Sequence, residues 1–171
     1  MSLTEDYQKN WKYDHYLVEA IIDRSLWEDS LIESFGKKLN SILNEIFKET
    51  KFVAFKNYYI LSIFFSGEKK IINLNKSYRN INKPTNVLSF PHLTKNSKNE
   101  NFLGDVIFSS ETITNEAYQE NKSIENHLTH LFVHAVLHLI GYNHEKSDEA
   151  LIMENLEIKI LKNLNIENPY K

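Results

Sequence analysis

The sequence predicts an α+β fold, a small mixed β-sheet of about four strands packed with helices. Two observations lead there. Short stretches alternate apolar and polar residues, or concentrate β-branched and aromatic side chains, as strands do. Between them run segments whose apolar residues recur every three or four positions, the period of an amphipathic helix. Both kinds are interspersed along 171 residues, a length that fits a single domain covering 1–171.

In chain order, Leu17 to Asp23 alternates, with Val18, Ala20 and Ile22 on one side, and reads as a strand. From about Leu26 to Phe47 the residues Leu31, Phe35, Leu39, Leu43 and Phe47 share a helical face. Asn57 to Phe65 is rich in aromatic and β-branched residues and predicts a well-buried strand, broken by Ser66-Gly67. Residues 69–79 predict a helix with Ile71, Leu74 and Tyr78 on one face. The polar stretch Asn80–Thr85, with Pro84, reads as a loop before a short strand, Asn86–Phe90, that Pro91 stops. Here Pro84 fixes the turn, and Thr85 or Asn86 is expected to bond the backbone as the strand begins. His92–Asn101 reads as a flexible connection and Leu103–Ser109 as another strand. Ser110 is expected to cap a helix starting at Glu111, where an acid suits the positive helix end. A further helix runs from about Glu125 to Ile140 and ends at Gly141. The last starts at Ser147-Asp148-Glu149 and continues through Leu151, Met153, Leu156, Ile160 and Leu164.

Composition narrows the function. Apolar residues at 42% and charged residues at 25% are near the averages for soluble globular proteins. The absence of Cys excludes a disulfide framework, a thiolate zinc knuckle and a thiol nucleophile, and fits a reducing cytosol. The first sixteen residues lack the apolar core of a secretory signal, and runs such as Tyr58–Phe65 are too short to span a bilayer, so a soluble cytoplasmic protein is expected, with no membrane partner. A net charge of −3 argues against binding nucleic acid by bulk charge alone. Between Ser66 and Glu100, however, Lys69, Lys70, Lys76, Arg79, Lys83, Lys95 and Lys98 face only Glu68 and Glu100. A polyanion would meet the chain there; otherwise the stretch is a solvated basic surface.

The most informative segment is His130 to Glu145. His134 and His138 lie four residues apart on the predicted helix, one turn apart on one face, where both imidazoles can reach one metal ion. Gly141 lets the chain leave the helix with positive φ, and His144 can swing back with a third nitrogen. Three His ligands leave a tetrahedral ion one open position, the arrangement of a catalytic rather than a structural zinc site, although nickel, copper or iron also accept imidazole. Packed or surface histidines are the bland alternative, which the H-x3-H-x5-H spacing with Gly at the bend disfavours. His127 and His130, upstream on the same helix, read as structural or supporting residues or as further ligands. Metzincin proteases share the spacing but use a Glu after the first His as general base. Ala135 occupies that position here and cannot move a proton.

The segment from His134 to His144, HAVLHLIGYNH, resembles the signature H-G-x-L-H-L-x-G-Y-D-H of the YbeY family of single-strand-specific endoribonucleases. Tyr78-Arg79 followed by Pro84-Thr85-Asn86-Val87-Leu88-Ser89-Phe90-Pro91 is similar to the family's Y-R and P-T-(D/N)-V-L-S-F-P, and Leu103-Gly104-Asp105 to its L-G-D. The likeness runs from roughly Ile63 to the C-terminus. Ala135 replaces the usual Gly and Asn143 the usual Asp, which removes a negative charge beside the third His. The resemblance implies a helix-packed mixed sheet with a cleft whose metal site lies on a helix and the turn after it. It implies one Zn2+ per chain on His134, His138 and His144, and cleavage of single-stranded RNA in ribosomal RNA (16S 3′-end) maturation and ribosome quality control. The ribosome or its assembly proteins are possible partners. By the same carry-over Arg79 meets the substrate phosphate, joining the three histidines as catalytic residues. Lys69, Lys70, Lys76 and Lys83 would guide the RNA backbone. Asp105 would anchor a ligand His or the loop. The rival readings are a non-catalytic RNA-binding ribosome-assembly factor with a structural metal, and a metallohydrolase of peptides or small esters.

Overall fold

The computed structural model describes residues 6–52, 58–92 and 101–171. Its elements run β1 (Tyr7–Lys12), β2 (Tyr16–Ile22), α1 (Asp29–Thr50), β3 (Tyr59–Ser66), α2 (Glu68–Arg79), β4 (Val87–Pro91), β5 (Phe102–Ser109), α3 (Ser110–Gln119), α4 (Ile124–Leu139) and α5 (Ser147–Asn163). The strands form one mixed sheet in the order β1-β2-β3-β5-β4, parallel through β2, β3 and β5 and antiparallel at both edges. The α+β class expected from the sequence is therefore the observed one. Of the expected flexible connection, residues 93–100, with Lys95 and Lys98, lie outside the described residues, as does the Asn57 end of the second expected strand.

The sheet buries both faces unequally. Val18, Ala20 and Ile22 of β2, Leu61, Ile63 and Phe65 of β3, and Val106 and Phe108 of β5 all join the main core. There α1 contributes Ile32, Phe35, Leu39, Ile42, Leu43 and Ile46, and α4 contributes Leu128, Phe132, Val133 and Val136. Phe35 meets Phe65 and Phe132 edge-on, with ring centroids 6.0 and 5.4 Å apart. Burying a side chain of that size contributes about 2–3 kcal/mol, and each edge-to-face pair about 0.5–1.5 kcal/mol more. Helix α5 packs on α1 and α4 and adds Met153, Ile160 and Leu161. The opposite face carries α2, whose Ile71 packs on Leu88 and Ile107.

Four expectations need correction. A fifth strand, β1, precedes the first expected one. Its polar residues have low strand propensity, and it forms because β2 offers a free edge: Tyr7, Lys9 and Trp11 turn toward α1 while Gln8, Asn10 and Lys12 face solvent. Ser110 does not cap α3. It lies within the first turn and its hydroxyl donates to the Leu26 carbonyl at 2.7 Å, while Ser109 takes the cap position. In α2 the buried partner of Ile71 is Asn75, not Tyr78, which is 69% exposed; the Asn75 amide donates to the Lys83 carbonyl at 2.9 Å and pins the following loop. In α5, Leu151 is exposed and Glu157 is buried in its place.

Candidate metal centre and cleft

Ser123 starts α4, its hydroxyl accepting from the Asn126 amide at 3.1 Å. The helix crosses β4 and β5, so its C-terminal half lies beside the sheet's edge strand. His134 and His138 lie there one turn apart, ring centroids 4.7 Å apart. The exit is tight: the Gly141 amide donates to the His138 carbonyl and the Tyr142 amide to the Leu137 carbonyl. Gly141 has φ +102°, as its place after the helix requires. That bend returns His144, whose ring lies 5.3 Å from His134 and 4.9 Å from His138. One ligand nitrogen from each of the three can be chosen so that all lie within 4.8 Å of one another.

The hydrogen bonds decide which nitrogens are available. His134 Nδ1 lies 2.8 Å from a Glu157 carboxylate oxygen, and His138 Nδ1 lies 3.0 Å from the Tyr142 carbonyl oxygen. Both neighbours only accept, so both Nδ1 atoms carry the proton and donate. With Nδ1 so engaged, Nε2 is the nitrogen each ring can offer to a metal, and the two Nε2 atoms face each other at 3.2 Å. One cation placed between them can accept both lone pairs. The residues present thus fit a bound metal ion. His138 is held neutral as well: burial, then the nearby His134 and His144, lower its pKa to about 4.

Behind these rings lies a layer that sequence reasoning missed. Glu157, 1% exposed, accepts from His134 and from His130 Nε2 at 2.8 Å, and from the Tyr170 hydroxyl at 2.5 Å. Burial opposes its ionisation, but those hydrogen bonds dominate and take the pKa down to about 2. One signal was available: Glu157 is in phase with Met153, Ile160 and Leu161 on the apolar face of α5, where a carboxylate belongs only if paired. Similarly Glu116 accepts from His127 Nε2 at 2.7 Å and from the Asn86 amide at 2.9 Å. Asn86 therefore bonds α3 with its side chain rather than the local backbone. His127 and His130 are supporting residues in this structure, turned to carboxylates.

The cleft encloses about 860 Å³ and is lined by the three histidines, the 141–145 turn, Arg79, and Thr85, Asn86, Val87, Ser89 and Pro91 of the loop and β4. Arg79, at the last turn of α2, thus shares a cavity with the cluster although 55 residues separate it from His134 in sequence. Lys76 and Lys83 are exposed near that end of α2 but do not line the cleft. Lys69 and Lys70 sit at the opposite end of the helix, about 15 Å along its axis from Arg79, in a separate depression with Asp23 and Glu111. Asp105 follows the side-chain alternation of Ile107, onto the α2 face of the sheet and away from α4; it anchors no histidine. The Asn143 side-chain oxygen accepts from the His144 amide at 2.8 Å, a turn contact that needs no charge. Ala135 is fully buried in the main core.

A mixed sheet with one helix laid across its edge, and three imidazoles converging in an open cleft, defines an α+β protein carrying the donor set of a histidine metal centre. The family model described as Endoribonuclease YbeY matches residues 24–165, and this chain belongs to that family. The chain is 39% identical over 157 residues to the Endoribonuclease YbeY of Bartonella quintana (strain Toulouse), covering 90% of this chain and 96% of that one. It is 49% identical over 112 residues to that of Bartonella bacilliformis, covering 64% and 71%. It is 39% identical over 150 residues to that of Ruthia magnifica subsp. Calyptogena magnifica, covering 88% and 99%. The family match therefore extends upstream of Ile63 through α1. Among the described residues no helix is long and apolar enough to cross a membrane.

Proposed function

We propose that the chain, acting as one domain, is a cytoplasmic, zinc-dependent endoribonuclease that cuts single-stranded RNA during ribosomal RNA maturation. The observation that carries this reading is the convergence of His134, His138 and His144 in the cleft that Arg79 also lines; membership of the endoribonuclease family supports RNA as the substrate class. When bound, Zn2+ supplies Lewis acidity toward a phosphate oxygen and toward water. The three histidines would hold it, with Glu157 and the Tyr142 carbonyl fixing the tautomers of His134 and His138. The Arg79 guanidinium grips the scissile phosphate through two parallel hydrogen bonds and stabilises the charge that grows there. Val87, Ser89 and Pro91 of β4 give the substrate a wall of alternating apolar and hydroxyl groups. Glu145 is the carboxylate among the described lining residues and is our candidate for carrying a proton to the leaving oxygen.

The test combines elemental analysis of the purified protein with parallel incubation against single-stranded RNA, duplex RNA and casein, with and without chelator. The expected outcome is about one zinc per chain and chelator-sensitive cleavage of single-stranded RNA alone. Arg79→Ala should lower the rate by about 10²–10³-fold, as loss of an electrostatic anchor of the transition state does. His138→Ala should leave a folded, inactive protein. Unfolding of His138→Ala would favour a structural metal in an RNA-binding assembly factor, and cleavage of casein would favour another substrate class.

A further inference from the structure

Behind the candidate metal centre, the Glu157 carboxylate bridges one turn of α4, one oxygen on His134 Nδ1 and the other shared by His130 Nε2 and the Tyr170 hydroxyl. Tyr170 comes from the segment after α5. Its ring stands edge-on to His130 at 5.7 Å and 83°. Lys122, in the turn between α3 and α4, ties the same segment down by donating to the Pro169 carbonyl at 3.1 Å. The contact is therefore built from both sides rather than left to a loose tail. A carboxylate has two lone-pair directions on each oxygen and only accepts. With His130 and Tyr170 both on one oxygen, the group cannot rotate, and its other oxygen stays on His134. We infer that Tyr170 is a positioning residue for the metal centre: by completing the set of donors around Glu157 it holds His134 in the tautomer whose Nε2 faces the ion. This rests on the metal reading of the cleft. Carboxylates in this position commonly change metal affinity by about 10–100-fold when lost, and the hydroxyl that orients one should act in the same direction by less.

Tyr170→Phe is the informative variant, since it keeps the ring against His130 and removes only the hydroxyl. Zinc affinity would be measured by competition with a chromophoric chelator, and the protonated nitrogen of His134 by side-chain ¹⁵N spectra of the metal-free protein. Expected are an affinity loss of roughly threefold to tenfold for Tyr170→Phe and about 10–100-fold for Glu157→Gln. His134 should move from a proton held on Nδ1 toward a mixture of tautomers in both variants. A hydroxyl that merely braces the C-terminal segment would lower the thermal midpoint of the chelated protein and leave affinity and tautomer at wild-type values; that result overturns the inference. Failure of the wild type itself to bind zinc would instead sink the metal reading, and this inference with it.

Discussion

His134 and His138 each engage Nδ1 with an acceptor and turn their Nε2 atoms toward each other at 3.2 Å, where one ion can take both lone pairs. This is the residue-scale argument for a metal, and it depends on backbone acceptors and a distant carboxylate that no spacing rule describes. The ligands were legible because helix periodicity alone puts positions four apart on one face. The acceptors behind them were not, because Glu157 lies 23 residues beyond His134 and its partnership is decided by how α5 packs. A second residue-scale constraint is Gly104. It has φ +140°, and a Cβ there would lie 2.2 Å from the Phe90 carbonyl oxygen and 3.0 Å from Leu139. The pairing of β4 with β5, and the seat of α4 on both, leave no room for a methyl. Gly104→Ala is expected to destabilise the protein by about 2 kcal/mol or more, from backbone strain and steric displacement together. Chemical denaturation of the two proteins side by side checks this; an unchanged midpoint would mean that β4 simply moves away.

At the scale of elements, the walls of the cleft are held together by Glu116. This carboxylate on α3 accepts from Asn86 at the start of β4 and from His127 near the start of α4, and so fixes the edge strand relative to the helix that bears the histidines. Burial raises its pKa, but the His127 and Asn86 hydrogen bonds outweigh that and leave it below the ordinary value of 4.5. The sign follows directly. A group with a lowered folded pKa contributes stability above its unfolded pKa, and that contribution fades as pH falls through the folded value. Wild-type protein should therefore lose stability relative to Glu116→Gln as pH drops below about 4.5. Denaturation midpoints at several pH values test this, and parallel curves across the acid range would refute it. The elements that the sequence made legible are those with internal periodicity, such as α1 and β3. β1 was hidden because its order comes from pairing with β2 and from contacts to α1, such as Tyr7 donating to Asp29 at 2.9 Å.

Across the whole molecule, the basic stretch read from the sequence divides. Lys76 lies in the last turn of α2 with Arg79, and Lys83 in the loop that follows, whereas Lys69 and Lys70 occupy the other end, where the Lys70 ammonium sits 3.6 Å from the Phe64 ring centroid. A sequence run reports charge density but not which end of a helix faces the substrate. If the cleft binds RNA, Lys76→Ala with Lys83→Ala should weaken single-stranded RNA binding and flatten its log-log salt dependence by about 1.4, two phosphate contacts at roughly 0.7 each. Lys69→Ala with Lys70→Ala should change little. Fluorescence anisotropy over a salt series checks both, and equal effects from the two pairs would place the RNA along the full length of α2. The placement of Trp11 has a practical corollary. Its indole fills the notch over Gly36 in α1, where an added Cβ would come within 2.2 Å of it. The other tryptophan, Trp27, is 4% exposed and donates to the Ser66 carbonyl at 2.8 Å just before the same helix. Both tryptophans thus lie in the N-terminal half and neither lines the cleft. Tryptophan emission is a gauge of whether β1 and α1 have docked rather than of the cavity's contents, so occupancy has to be followed with an extrinsic label or through Tyr142.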